Sequence, residues 1–360
     1  MNKEFTSLGL MSGTSGDGVD ASVITSDGQN KCELISDKYF EYNNSLTKEI
    51  HNTNEKINNL NDLKKNRKEI DELERKITIF HSMVSKEMIK QIPSINIIGL
   101  HGQTLLHNSK LKISKQLGNG RLLSQLLKKN VVFNFRENDL KHEGQGAPLT
   151  PIYHRLIKKI KKISTPISFV NIGGITNITL FNEKDEMYSC DIGPGNCLID
   201  KWIRNNSKKK YDDKGLIASR GKINEIILEQ AMENFIHSEL FNYKSYDIKD
   251  FDLSFARGLS LEDGAATLTE FTVNIISQKI GNYTNILCGG GRKNNFLIDR
   301  LKIKCNSKFK NIDEIGINGD FVESQAFAYL AIRSFLNLPI SFPGTTGCSK
   351  ACVGGEIIKI

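Results

Sequence analysis

Short apolar runs open the chain and set its first pattern. Strands are expected over 5–11, 19–26 and 31–42, a meander of three. The period then lengthens: Ile70, Leu73, Ile77, Phe80, Val84 and Met88 recur at three- and four-residue steps, which predicts an amphipathic helix with one buried stripe. The charged segment 54–69 before it reads as an exposed N-terminal extension or a surface connection. An apolar strand over 95–100 ends at His101-Gly102-Gln103-Thr104. A helix near 120–129 and a strand over 131–135 follow, and the strand empties into a polar loop, 136–146. Two prolines in Ala147-Pro148-Leu149-Thr150-Pro151, after nearby glycines, predict a boundary between a first domain, 1–147, and a second, 148–360.

The second part restarts the pattern. A strand over 167–172, a bend at Gly173-Gly174 and a returning strand over 175–181 echo the opening meander. A further strand ends in Asp191-Ile192-Gly193-Pro194-Gly195-Asn196, ahead of a helix over 197–205. Helices are expected over 262–280, 294–302 and 323–336, with a strand over 285–288 that runs into Gly289-Gly290-Gly291. The pattern predicts two α/β halves, each opening with a hairpin meander and placing Gly-rich loops at strand ends. Ligands of α/β folds gather at such ends, and with two halves the cleft between them is the expected site.

Composition narrows the class. The 360 residues are 39% hydrophobic and 25% charged, as in soluble globular proteins. No apolar run reaches the ~18 residues of a membrane span, and the first residues lack a signal-peptide core. The cysteines, seven in number and scattered without a CxxC pair, argue against a disulfide framework or a structural zinc site and suit a reducing cytoplasm. The net charge is +8, but the lysine runs carry no interleaved aromatics, so they read as solvated faces rather than a nucleic-acid surface. A basic surface also attracts an anionic substrate.

The densest chemistry lies in residues 9–20, Gly-Leu-Met-Ser-Gly-Thr-Ser-Gly-Asp-Gly-Val-Asp. An ordinary hairpin turn would need fewer glycines. The bend Gly13, Thr14, Ser15, Gly16, Asp17, Gly18 offers N–H groups and hydroxyls that suit phosphate, and Val19 and Asp20 begin the returning strand. Asp17 and Asp20 would repel a bare phosphate, so they imply a divalent cation or a catalytic water as well. Walker A, Rossmann and protein-kinase signatures are absent, which leaves another ATP scaffold. Two opposed hairpins, at 13–18 and at Gly173-Gly174, with an adenosine loop at Gly289, Gly290 and Gly291, describe the actin/hexokinase/Hsp70 plan, a two-domain, ribonuclease H-like ATPase fold.

The segments GLMSGTSGDGVDA, LHGQTLLH, GQGAPLTP, NIGGITNITL, CDIGPGNCLID, LEDGAATLTEFT, CGGGRKN and ESQAFAYLA stand in the order found in anhydro-N-acetylmuramic acid kinases. The chain resembles that family from residue 8 to about 355. The resemblance implies an ATP- and Mg2+-dependent kinase. Its reaction opens the ring of 1,6-anhydro-N-acetylmuramic acid and phosphorylates O6, in the recycling of peptidoglycan sugars. It implies Asp191 as the base that activates water, against a bland role as a loop-capping Asp. Gln103 and Arg136 become candidates for gripping the sugar, Arg136 through its lactyl carboxylate. Glu323, at the start of the last long helix, is a candidate metal or substrate ligand, although the helix dipole favours an acid there anyway. A homodimer, closing of the domains on ligand and a cytoplasmic location also follow from the resemblance. His101 and His107, at a poor metal spacing, are expected to be structural.

The chain departs from the family pattern in two places. Asn134 precedes Phe135-Arg136 where an Asp is usual, and Glu143 stands at a usual Gly. Lys244-Ser245-Tyr246-Asp247 departs from a commoner Lys-Ser-Thr-Gly. Two rivals remain at this point: a kinase of the same fold acting on another sugar or carboxylate, and a nucleotide-switched binding ATPase.

Overall fold

The computed structural model describes residues 3–13, 15–242 and 245–360, so Thr14 and Lys244 lie outside the described residues. The chain divides into two units: Met1–Lys162 with Phe321–Ile360, and Ile163–Asp320. In chain order the first unit holds β1 (Phe5–Ser12), β2 (Gly18–Ser26), β3 (Cys32–Glu41), α1 (Asn44–Lys56), α2 (Leu60–Lys65), α3 (Arg67–Gln91), β4 (Ile97–Asn108), β5 (Ile113–Leu117), α4 (Gly120–Leu127), β6 (Asn130–Phe133), α5 (Glu137–Lys141) and α6 (Pro151–Ile160). The second holds β7 (Ile167–Ile172), β8 (Ile175–Phe181), β9 (Met187–Pro194), α7 (Cys197–Asn206), α8 (Glu225–Ile236), α9 (Leu261–Lys279), β10 (Thr284–Cys288), α10 (Asn295–Lys304) and β11 (Lys308–Asn311). The chain then returns to the first unit with α11 (Val322–Phe335), α12 (Pro343–Thr346) and β12 (Glu356–Ile358).

Both sheets repeat one plan. In the first, β1, β2 and β3 form the antiparallel meander, β4 and β6 add in parallel on the other side of β1, and β12 and β5 pair antiparallel at β6 and β4. In the second, β7, β8 and β9 form the meander, and β10 and β11 add in parallel beside β7. The two α/β halves therefore stand as expected.

The division does not fall at 147/148. Tyr153 of α6 donates from its hydroxyl to Gln325 Oε1 of α11 at 3.0 Å, so α6 stays with the first unit. The C-terminal forty residues return there too, because α11 covers the first sheet. That contact rests on two glycines. Gly9 and Gly99 are register partners on β1 and β4. A Cβ at Gly9 would lie 2.0 Å from Ser324 O, and one at Gly99 would lie 2.4 Å from Phe327 O. The helix backbone thus sits directly on the strands. Side chains alternate across a strand, so Leu8 and Leu10 take the opposite face, where they join Ile70, Leu73, Ile77, Val84 and Met88 of α3.

Segment 54–69 is ordered rather than an extension of α3. It contains the end of α1 and all of α2, which begins with a capping box between Asn59 and Asp62. The strand expected over 95–100 runs on to Asn108, because β5 pairs with its second half. α5, α6 and α8 had no strong periodic signal and replace expected loop or unassigned sequence.

The first unit also carries neutral histidines. Burial pushes His81 down to about 4 and His154 to about 3. Burial with the Arg136 charge pushes His107 to about 3 and holds His101 well below its ordinary value. In the unfolded chain each would bind a proton near pH 6.5. The stability they allow is therefore present above about pH 6.5 and lost as pH falls toward the folded values. The raised carboxyls of Asp37 and Glu323 act in the opposite sense, at lower pH. Between pH 6.5 and 5.5 the first unit is expected to lose on the order of 1 kcal/mol per histidine. Peptide-resolved hydrogen exchange, corrected for intrinsic rates, measures this, while Trp202 reports the second unit. Unchanged protection of the first unit across that range would refute it.

Candidate active site

The loop between β1 and β2 is tightened by its own bonds. Gly16 takes φ +61° and donates its N–H to Gly13 O at 3.1 Å. Ser15 Oγ donates to Asp17 Oδ1 at 2.6 Å, and the Tyr42 N–H reaches Asp17 O at 2.8 Å. His51 Nε2 donates to Ser15 O at 2.7 Å. Asp20 lies in β2, between Met11 and Tyr39. Burial, aided by Asp17, Glu41 and Asp20, pushes the Tyr39 phenol up to about 12. The loop is thus polar and acidic, with oxygen donors that suit a hard cation such as Mg2+.

β4 brings the candidate sugar residues to the same strand end. Gln103 is fully buried, pairs in register with Ser12, and donates from Nε2 to Gly13 O at 2.9 Å. Its Oε1 is buried with no partner. A buried acceptor left open in this way fits a ligand N–H or hydroxyl. Two residues earlier, His101 donates from Nδ1 to Gly102 O at 2.8 Å, which leaves Nε2 to accept from Arg136 Nη2 at 2.9 Å. The His101 ring lies against Phe327 of α11, with centroids 4.4 Å apart. Arg136 also donates from Nη1 to Gly146 O at 3.2 Å. Glu323, in the first turn of α11, is half-buried; burial raises its carboxyl while the Arg136 charge opposes the rise. The first unit therefore brings together Gly13, Ser15, Gly16, Asp17, Gln103, Arg136 and Glu323. Sequence reading missed the orienting role of His101, because its partner lies 35 residues away and no local pattern marks it.

Gly18, Val19 and Asp20 open β2 in the first unit, and the second unit holds the other candidates. Gly173 and Gly174 form the bend between β7 and β8, and it interlocks with the turn after β9. Gly195 N–H donates to Gly174 O at 2.9 Å and Asn196 N–H to Gly173 O at 2.8 Å. A Cβ on Gly195 would fall 2.2 Å from Gly173 O. Asp191 lies in β9 opposite Asn177, and its Oδ2 accepts the Tyr246 N–H at 2.9 Å. Burial and the Asp191 charge push the Tyr246 phenol up to about 12.

The loop at Gly289, Gly290 and Gly291 opens a short 3-10 turn, Gly290–Lys293, rather than a helix. The helix proper is α10, capped by Asn294 Oδ1, which accepts the Leu297 N–H at 3.0 Å. The N-terminus of the helix therefore lies past the glycines, as the helix expected over 294–302 implies. Gly289 (φ +75°) and Gly291 press on β7, whereas a Cβ at Gly290 would meet nothing within 4 Å. Arg292, which sequence reading passed over, braces this turn through Asp313 at 2.7 Å and Asp320 at 2.9 Å.

Residues 5–359 match the family description anhydro-N-acetylmuramic acid kinase. The chain belongs to that family. A relative of that name from Pelagibacter ubique (strain HTCC1062) is 52% identical, with both chains covered in full. One from Agrobacterium fabrum is 34% identical, again over the whole of both chains. One from Zymomonas mobilis is 34% identical over 97% of this chain and 98% of its own. Membership makes the chain an enzyme, a kinase, and its two sheets repeat one plan, an antiparallel meander with further strands added in parallel beside its first strand. Among the described residues, no helix is long and apolar enough to cross a membrane.

Proposed function

We propose that this chain uses ATP and water to convert 1,6-anhydro-N-acetylmuramic acid into N-acetylmuramic acid 6-phosphate and ADP. The observation that carries the reading is the family match along the whole chain, from residue 5 to residue 359. Asp191 supports it as the base. Its Oδ2 is held by the Tyr246 N–H, so the carboxylate is fixed before substrate arrives. A water gives its proton to Asp191 while its oxygen bonds to C1 of the sugar. The C1–O6 bond breaks, its electron pair stays on O6, and O6 bonds to the γ-phosphorus as the bond to ADP breaks. The Asp191 proton then leaves to solvent.

The other residues position and neutralise. N–H groups at Gly13–Gly18, with Ser15, suit the phosphates of ATP, and Gly173-Gly174 serves as the second phosphate bend. Gly290, open on its side-chain side, suits close approach of the adenosine. Mg2+ would be held through Asp17, Asp20 or Glu323 and would neutralise phosphate charge. Gln103 Oε1 accepts from the sugar, and Arg136, held by His101, faces its carboxylate group. The same reading carries a place in peptidoglycan sugar recycling, a cytoplasmic location and a homodimer, each resting on the resemblance.

The test is a mass-resolved assay with Mg·ATP and the anhydro sugar. The expected product is heavier than the substrate by one phosphoryl group and one water, formed together with ADP. ATP consumed with the sugar unchanged would overturn the reading.

A further inference from the structure

Asp139 of α5 is 1% exposed, and among the described residues no cationic side chain pairs with it. Its Oδ1 accepts from Thr346 Oγ1 at 2.6 Å and its Oδ2 from the Gly146 N–H at 2.7 Å. Each oxygen keeps a further lone pair. Buried carboxylates are normally paired with a cation or bound to a metal. Two thiols lie beside this one. Cys348 and Cys352 are each 2% exposed, and their sulfurs and an Asp139 oxygen lie within 4.8 Å of one another. Two sulfurs bound tetrahedrally to one zinc ion stand about 3.8 Å apart, so the cluster needs little contraction to close on an ion.

We propose that Asp139, Cys348 and Cys352 form a zinc-binding site, with water in the fourth position. Two thiols and one carboxylate are a donor set for a borderline-soft divalent ion rather than for Mg2+ or Ca2+. On binding, both S–H bonds break and two protons go to solvent. Cys352 then gives up the bond it donates to Lys350 O at 3.1 Å. Scattered cysteine spacings argued against zinc in the sequence, since Cys348 and Cys352 are separated by three residues and no third cysteine is near. The fold supplies the third ligand from a distant segment.

The site would fasten the turn after α12 to α5, both in the first unit. One residue links it to the sugar-binding candidates: Gly146 gives its N–H to Asp139 and its carbonyl to Arg136. Zinc would therefore stiffen the loop that anchors Arg136.

The experiment loads the reduced full-length chain with zinc alone, desalts it and measures bound metal, then repeats the loading with Co2+. About one zinc per chain and a thiolate-to-cobalt absorption band are expected. Cys348→Ser and Cys352→Ser should lose both signals, while Cys305→Ser keeps them. Wild-type stoichiometry decides the matter even where a variant fails to fold. Retention of no zinc would overturn the proposal, as would equal retention by the two cysteine variants. Conversion of the Cys348–Cys352 pair to a disulfide with no zinc uptake would overturn it too. None of these readouts depends on kinase activity.

Discussion

Asp191→Asn is expected to lower turnover of the anhydro sugar by ~10²–10⁴-fold, the span that a positioned general base contributes. The substitution is nearly isosteric. The asparagine carbonyl can accept the Tyr246 N–H that Asp191 Oδ2 accepts now at 2.9 Å, so the end of β9 keeps its geometry. The ability to take a proton from water is lost. ATP binding should stay within about twofold, because the substitution is nearly isosteric and the base acts on water rather than on the nucleotide. The KM for sugar should change little, since Asp191 acts on the attacking water and not on the sugar's own polar groups. Steady-state kinetics and a direct nucleotide-binding measurement separate these effects. Turnover within a few-fold of the unsubstituted enzyme would remove Asp191 from the base role and return it to its bland role as a loop-capping residue.

How far the sequence reaches differs between elements. The meanders were legible chiefly through β1, β2, β7 and β8, which are buried on alternating or on both faces and meet at glycine-rich bends, whereas β3 is largely exposed. The α3 stripe was legible for the same local reason, and five of its six expected positions lie in one core cluster while Phe80 packs at its edge. The boundary was not legible. The Pro148 and Pro151 signal is real turn chemistry, but domain membership depends on what α6 touches, and its partner Gln325 lies 172 residues away. β4 was cut short for a similar reason: His101 and Gln103 read as the end of an apolar run, whereas pairing with β5 extends the strand through them. At the candidate site, Gly13, Gly16 and Gln103 were picked out from local composition or motif. What holds them was not found, because the bonds of Gln103 to Gly13 and of Arg136 to His101 join distant segments. The glycine loop at 289–291 shows a smaller gap. The helix expected over 294–302 stands as α10 with Asn294 as its cap, whereas the 3-10 turn at Gly290–Lys293 that precedes it had no local signal.

Gly9→Ala carries the second large effect, and its cause lies in one missing atom. The added Cβ would sit 2.0 Å from Ser324 O and 2.5 Å from Ala328 N. Both are backbone atoms of α11, so no side-chain rotation relieves the clash. The helix must lift or slide. Overpacking of this kind costs ~1–3 kcal/mol and more when backbone has to move. For a unit of this size, each kcal/mol lowers the melting temperature by ~2–4 °C, so a fall of about 6–12 °C is expected at the upper end. Activity should fall further than stability alone explains. Glu323 opens this helix, Ser324 Oγ bonds to Ser22 Oγ at 2.6 Å, and Gln325 Nε2 donates to Asp37 Oδ2 at 2.9 Å. Lifting the helix moves that whole row, and with it the Phe327 ring that lies against His101. Gly290→Ala is the matched comparison. Its Cβ meets nothing within 4 Å, so its melting temperature should stay unchanged. Calorimetry and kcat measured well below the melting transition distinguish the two substitutions. If Gly9→Ala melted within 2 °C of the unsubstituted chain and kept its kcat, the close seating of α11 on β1 would be wrong, and so would the placement of Glu323 that depends on it.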